Sequence, residues 1–328
     1  MSVSYRLIRA HELDAPLLAA WRAIQSRRSA LASPYFCPEF TQAVASVRSD
    51  VRIVVIENAG RTAGFFPHQR SPWGAGRPAG GALSDYHGVI AEADAEWSVP
   101  GLMRAARLAT WSFDHLVDEG GRFAPYVAAQ ARSPQIDLLQ TLSLPSGIER
   151  KARKLAREAG ELSFSLHEPA GALERLIEWK RAQYARTGVT DAFGAAWTGA
   201  LLRRILAFQA EGFAGVCSVL RAGGGIVAVH AGMRSREVLH WWFPAYAPQF
   251  AHYSPGLLLL LRLAQAAAAA GVRTIDLGKG DSRYKLSLMN RAAPLAEGCV
   301  EASALYATAR ALLPPRLAGR LERARRYA

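Results

Sequence analysis

From Val238 to Leu277 the residues spell a strand, a loop, a helix and a second strand, and this stretch constrains the fold more than any other. Val238 to Phe243, Val-Leu-His-Trp-Trp-Phe, is rich in aromatic and branched side chains and predicts a strand. The apolar run Leu257 to Ala270 is too long for a strand. Ser254 suits an N-cap and Pro255 the first helical position, so the spacing predicts a helix that begins there and stops at Gly271. Thr274 to Leu277 then reads as a short buried strand ending at Gly278. Such a unit sets free backbone N–H groups and the positive end of a helix dipole at one edge of a sheet, where phosphates bind.

Element order repeats along the 328 residues. In the first half, Ser4 to Arg9 predicts a strand, and Glu12 to Arg28 a helix with Leu13, Leu17, Leu18, Trp21 and Ile24 on one face. Pro34-Tyr-Phe-Cys-Pro leads into a second helix from Glu39 to Val47. Val51 to Glu57 and Thr62 to His68 predict a hairpin around Asn58-Ala-Gly-Arg. A Gly/Pro-rich loop, Pro72 to Gly81, precedes Ala82 to Ile90, read as a fourth strand with an irregular middle. Pro100 to Leu116 is expected to be a helix, and strands near Phe123 to Ala128 and Gln135 to Leu139 complete this half.

In the second half, Leu162 to His167 predicts a strand, followed by helices over Leu173 to Arg186 and Trp197 to Ala210. Val216 to Arg221 and Ile226 to Met233 form a hairpin around Ala222-Gly-Gly-Gly. The two hairpin turns, Ala59-Gly60 and Ala222-Gly223, lie 163 positions apart, close to half the chain. The repeat is one of element order, since sequence identity across that offset is slight.

Charge narrows the partners. The formal net charge of +13 points to anions: a nucleotide, a nucleic acid, a phospholipid surface or an acidic glycan. Nearly all of the positive charge is arginine, with lysine only at 151, 154, 180, 279 and 285. A lysine in such a chain is present either by chance of composition or for its compact ammonium and shiftable pKa. The segment from Ser146 to Gly160 is a basic helix with a glycine stop, either a solvated connector or a positive rim beside an anionic ligand. It lacks the interleaved stacking aromatics of a nucleic-acid surface. Cys37, Cys217 and Cys299 are odd in number and far apart, as expected of reduced thiols. With no signal-peptide core at Met1 to Arg6, and an apolar run broken by Arg262 and Gln265 that falls short of the roughly 20 residues of a membrane span, a cytoplasmic soluble protein is expected.

Four segments carry a family resemblance: Pro34-Tyr-Phe-Cys-Pro-Glu-Phe, the basic helix ending Leu-Ala-Arg-Glu-Ala-Gly160, Tyr253-Ser-Pro-Gly256, and Ile275-Asp-Leu-Gly-Lys-Gly-Asp-Ser-Arg-Tyr-Lys285. Together they resemble the cellulose-biosynthesis (CelD-type) acetyltransferases, a branch of the GNAT superfamily similar in its doubled layout to the Fem-type peptidyltransferases. The resemblance implies an α/β fold with a mixed sheet, built as a tandem GNAT. With the residues themselves, this gives a GNAT-like domain over 1–143, a basic connecting helix over 144–160, an acyltransferase domain over 161–312 and a basic helical tail over 313–328. It further implies acetyl-CoA or a longer acyl-CoA as donor, and an acceptor amine or hydroxyl on a sugar or an amino-acid-like molecule. In that pattern the pyrophosphate sits over Ser254, Gly256 and Leu257, beside Tyr253 and Lys279. The loop Ala251-His-Tyr-Ser-Pro-Gly departs from the usual glycine-rich Q/R-x-x-G-x-G/A by keeping only Gly256.

Acyl transfer needs a base for the acceptor and an acid for the leaving thiolate. Asp281, Tyr284 and Lys285 are spaced to share a face of a helix beginning near Asp281, which makes them candidates to orient the acceptor, protonate the thiolate and hold an acidic group; the same spacing also suits an N-cap with an i,i+4 salt bridge. His240, on the strand expected to face the thioester, has a suitable intrinsic pKa for a base, although a lone strand histidine is also often structural; His230 has the same status. Asp85-Tyr86-His87 is a candidate for acceptor recognition or else an Asx-type turn. Eight scattered histidines without paired spacing predict no metal, and no serine elbow or Cys–His signature predicts a covalent intermediate. Two other functions stay open: a Fem-like transferase drawing on aminoacyl-tRNA, and a non-catalytic binding module with an altered phosphate loop.

Overall fold

A computed structural model describes residues 2–140, 145–168 and 171–302. The chain begins β1 (Val3–Ile8), α1 (Ala15–Arg27), α2 (Pro38–Val47), β2 (Val51–Asn58), β3 (Arg61–Arg70), β4 (Ala75–Pro78), β5 (Ile90–Ala91), α3 (Val99–Ala105), β6 (Thr110–Leu116) and β7 (Val127–Asp137). It continues α4 (Ile148–Ala159), β8 (Leu162–Ser165), α5 (Gly171–Thr187), α6 (Ala196–Leu206), β9 (Gln209–Ala210), β10 (Phe213–Ala222) and β11 (Gly225–Ser235). The last elements are β12 (Val238–Tyr246), α7 (Pro255–Ala269), β13 (Thr274–Asp276), α8 (Arg283–Leu288) and β14 (Arg291–Glu301). No helix among the described residues is long and apolar enough to cross a membrane.

Two compact units divide the chain, 1–132 with 294–328, and 133–293. The sequence places its boundaries at 143/144, 160/161 and 312/313; the unit boundaries fall inside β7 and β14, each one continuous strand. The basic helix α4 belongs to the second unit, where Ile148 and Leu155 are buried in its core. The basic tail expected over 313–328 lies outside the described residues.

In the first unit the strands run β1-β2-β3-β4-β6-β14, with β5 on β3. All neighbours are antiparallel except β4 and β6. The core gathers Val54, Phe66, Leu102, Trp111 and Phe113, with Ala296 and Val300 of β14. In the second unit β13-β12-β11-β10-β8 form the sheet, with the end of β7 antiparallel to β13 and β9 on β10. Again one inner pair, β12 and β13, is parallel. Each unit is therefore a strand, two helices, three antiparallel strands, a helix, and a strand parallel to the third: an α/β fold with a mixed sheet, made twice.

Three expectations need correction. Pro100 to Leu116 is not one helix: α3 ends at Ala105, Arg107 takes φ of 55°, and β6 follows. From Thr110 the side chains alternate, Trp111 and Phe113 inward and Ser112 outward, a period of two that marks a strand. Ala82 to Ile90 holds a 3-10 turn over Gly81–Leu83 and then the two-residue β5, while the fourth strand, β4, lies earlier in the Gly/Pro-rich loop. Gly76 makes that possible, since a Cβ there would come within 2.7 Å of Leu108 Cδ1. Phe123 to Ala128 and Gln135 to Leu139 are not two strands; a 3-10 turn over Ala124–Tyr126 leads into the single strand β7.

Helix α7 fixes the position of everything around it. Leu258, Leu259, Leu260 and Leu263 are buried against the sheet, and each contributes about 1.5–3 kcal/mol of burial. Helix α4 stops at Gly160, where φ is 98° and a Cβ would come within 2.5 Å of Gly223 Cα in the β10–β11 turn. That close approach seats α4 on the hairpin.

Candidate active site

Strands β12 and β13 are paired over three residues only: Val238 with Thr274, Leu239 with Ile275, and His240 with Asp276. Beyond His240, β12 runs on to Tyr246 while β13 has ended, so among the described residues no strand covers that edge of β12. The chain leaves β13 through Leu277 into Gly278, at φ 74°, and Gly280, at φ 113°. Asp276, 1% exposed, anchors this exit. Its carboxylate accepts hydrogen bonds from Ser133 Oγ at 2.7 Å, Gln135 Nε2 at 2.7 Å and the Gly278 N–H at 2.8 Å, and His240 Nδ1 lies 3.4 Å from Oδ1.

The cluster at 281–285 is partly rearranged relative to expectation. Helix α8 begins at Arg283 with Ser282 as N-cap, so Asp281 precedes the helix and is exposed. Gly280 holds the backbone outside the helical region until Ser282. Tyr284 is 37% exposed, and the Trp241 indole hydrogen-bonds its hydroxyl, placing the phenol beside the first residue of β12 beyond the parallel pairing. Burial raises its pKa, the Trp241 bond acting the other way. Lys285 Nζ donates to Gly278 O at 2.9 Å and Lys279 O at 3.0 Å, pinning the Gly-Lys-Gly loop from below.

Both strand histidines are fully buried. The His230 ring stacks on Trp241 at 4.3 Å, with Nδ1 3.4 Å from Ser218 Oγ, and burial pushes its pKa down to about 3. It is neutral at any ordinary pH.

The second cluster lies at the start of α7. Ser254 is the N-cap, but in the left-handed region at φ 56° and without a capping side-chain bond; its hydroxyl accepts from Lys151 Nζ at 2.7 Å. The Ser254 N–H bonds Ala251 O and the Leu257 N–H turns back onto Ser254 O. Of the three expected anion donors, the Gly256 N–H is the one without an intramolecular acceptor among the described residues. A Cβ on Gly256 would meet Tyr246 Cδ1 at 3.5 Å, an ordinary contact. Tyr253 is buried, and its hydroxyl donates to Glu158 of α4.

In the first unit, Tyr86 is buried against Tyr35 and Phe36, with ring centroids 6.4 Å away in both cases. His87 Nε2 accepts from the backbone N–H groups of Asp114 and His115, and burial lowers its pKa to about 3. Asp85 faces His115, with Oδ1 3.6 Å from Nε2, and His115 Nδ1 is 3.0 Å from Asp114 Oδ1. No group of three or more metal-ligating side chains occurs among the described residues.

Residues 146–286, from the turn before α4 into α8, match the family model described as an acetyltransferase (GNAT) domain. The GNAT acetyltransferase match falls within the second unit. That match spans β12, β13 and the start of α7 between them. No curated protein matches the chain in sequence. Solved structures match the tandem GNAT layout at low identity. FemX is 8% identical over 95% of this chain and 100% of its own, with a TM-score of 0.61. The C-terminal domain of a protein named as a lysylphosphatidylglycerol synthetase, from Agrobacterium fabrum, is 13% identical over 90% and 94%, at 0.56. A tandem GNAT protein from the clavulanic acid biosynthesis pathway is 12% identical over 92% and 99%, at 0.52.

Four residues of the GNAT domain escaped the sequence reading as site residues. Asp276 was legible only as the end of a strand, because its donors at 133 and 135 are far away in sequence. Trp241 was read only as one of the aromatics of its strand, and Tyr246 falls beyond the expected strand end. Lys180 of α5 sits near Lys285, and burial together with that charge lowers its pKa to about 8. Its rarity as a lysine was the available signal.

Proposed function

We propose that this chain moves an acetyl or longer acyl group from acyl-CoA to an amine or hydroxyl acceptor. The observation that carries the reading is the placement of Tyr284, whose hydroxyl meets the Trp241 indole where β12 loses its partner strand. A thioester drawn along that open edge presents its sulfur to a phenol whose raised pKa keeps the proton ready for a thiolate. The acceptor nitrogen or oxygen bonds to the acyl carbon, the C–S bond breaks, and the sulfur takes the Tyr284 proton. Asp281, exposed at the mouth of the loop, takes the proton of the acceptor. Lys285 and Lys279 shape the loop and place positive charge beside it, while Gly256 N–H, with Tyr253, Ser254 and Leu257 forming the turn around it, receives a phosphate of the donor.

His240 and Asp276 act by orientation: full burial keeps His240 from substrate, and the pair fixes the loop that carries Lys279 and Asp281. His230 supports the Trp241 ring. Asp85 offers a half-buried carboxylate to a cationic acceptor, with Tyr86 and His87 holding its loop. The resemblance to cellulose-biosynthesis acetyltransferases supports a sugar amine or amino-acid-like acceptor, used in the cytoplasm in polysaccharide or cell-envelope synthesis.

Isothermal titration with acetyl-CoA and longer acyl-CoA tests the donor. Saturable binding, followed by acyl transfer that Tyr284→Phe slows without altering donor affinity, is the expected result. Failure of every acyl-CoA to bind, together with activity lost on RNase treatment, would assign the chain to aminoacyl-tRNA instead.

A further inference from the structure

Helix α4 lies outside the strand–helix order that the two units share, and its chemistry is one-sided. Ile148 and Leu155 face the core, while Arg150, Arg153, Lys154 and Arg157 are exposed and Lys151 is half-buried. Over these 12 residues five cations face two carboxylates, Glu149 and Glu158. Glu149 lies 3.9 Å from Arg153. Glu158 is occupied by the Tyr253 hydroxyl, with Lys154 at 3.9 Å and Arg157 at 3.6 Å. Arg150 has no carboxylate partner among the described residues.

Packing aims this face. Lys151 Nζ sits 2.7 Å from Ser254 Oγ at the first turn of α7, and Lys154 Nζ lies 5.8 Å over the Tyr253 ring. Residues at 150, 154 and 157 follow i, i+4, i+7 spacing and form a stripe leading away from Lys151, about 10 Å long at 1.5 Å per residue. The helix start itself is short of donors, since Pro255 has no N–H and the Leu257 N–H is spent internally. A polyanion arriving there must find its countercharge in side chains, and α4 is where they are.

We propose that the exposed basic stripe of α4 docks the phosphorylated adenosine end of coenzyme A, with Lys151 beside the pyrophosphate and Arg150, Lys154 and Arg157 receiving the 3′-phosphate. The proposal rests on acyl-CoA being the donor. The stripe is one helix wide and about two turns long, which suits a single phosphorylated nucleoside. An RNA duplex would need cations spread over more than one element, and stacking aromatics if single-stranded.

The test compares coenzyme A with 3′-dephospho-coenzyme A by isothermal titration at fixed ionic strength. Wild-type protein is expected to bind coenzyme A about tenfold more tightly, a difference of about 1.4 kcal/mol. In Arg150→Gln/Arg157→Gln that gap should close to within about twofold with dephospho-coenzyme A affinity unchanged, the signature of one lost phosphate contact. Arg150→Gln alone, at an exposed site without an ion pair, should narrow the gap in a protein of unchanged Tm. Equal wild-type affinity for the two ligands, or a gap that survives the double substitution, overturns the proposal and leaves the donor reading standing. No binding of either ligand sinks the donor reading and the proposal with it. Tighter binding of a short RNA duplex, lost in the same double variant, would reassign α4 to RNA.

Discussion

Removing the Asp276 carboxylate should uncouple the Gly278–Asp281 loop from the sheet, and the size of the effect follows from the donors it satisfies. Asp276→Ala strands Gln135 Nε2 and the Gly278 N–H, which are fixed in place, while the Ser133 hydroxyl can rotate to another acceptor. A buried donor left without an acceptor costs about 1–3 kcal/mol, so the two fixed donors together cost about 2–6 kcal/mol. For a unit of this size each kcal/mol lowers Tm by about 2–4 °C, and the expected drop is about 4 °C or more. Asp276→Asn keeps an oxygen for Ser133 and Gly278 and should fall between alanine and wild type. Thermal and urea unfolding of both variants, with Ser133→Ala as a control, measure the ranking. At a temperature where each variant is fully folded, kcat should fall further than KM rises, because the Gly278–Asp281 segment loses its tether. An alanine variant within about 0.5 kcal/mol of wild type, or one that matches Ser133→Ala, would refute the claim that this carboxylate holds the loop.

Tyr284→Phe should lower kcat by about 10²- to 10⁴-fold in a steady-state assay, with KM for the donor little changed, because a proton donor rather than a binding contact is lost. Gly256→Ala should leave Tm within about 1 °C, since the added Cβ has room beside Tyr246, yet weaken donor binding measured by titration; unchanged affinity in a folded variant would move the phosphate site elsewhere. The Lys180 amine, depressed to about 8, should be half-neutral near pH 8, and its rate of acetylation by a small reagent, read by peptide mass spectrometry, should rise through that pH. Because the folded pKa lies below the free value, the same burial costs stability at low pH, a cost relieved as pH rises from about 8 toward about 10.4.

The second unit was the more legible of the two because its elements end on strong signals. Ser254-Pro255 and Gly271 bracket α7, and Val238 to Phe243 is unmistakable as a strand. In the first unit the same plan is written in weaker residues. Strand β4 is Ala-Gly-Arg-Pro, which nothing in local preference marks as a strand, and it exists because β3 and β6 flank it. Strand β6 follows α3 without a proline or glycine between them, so a single helix was the natural reading until burial alternation is known. The lysines were informative: Lys151 of α4 bonds Ser254 at the start of α7, Lys180 of α5 sits near Lys285 of α8, and Lys285 bonds the carbonyl of Lys279. What the sequence could not convey was which of the clustered groups are spent on the fold. Lys285 grips two carbonyls, the Leu257 N–H is internally bonded, and His230 and His240 are sealed from solvent.

Chain routing gives the tandem an order of birth. The second unit is a single uninterrupted segment, whereas the first is closed by β14, whose Ala296 to Glu301 pair with Leu116 to Thr110. A ribosome therefore finishes the second unit before the first can complete its sheet, leaving Trp111 and Phe113 without Ala296 and Val300 during translation. Domains usually mature from the N-terminus onward; here the earlier-made part waits for a strand translated after the second unit. Nascent chains in which residues up to about 293 have emerged from the exit tunnel should bind chaperones through the first unit while the second already resists proteolysis, and those in which residue 302 has also emerged should not.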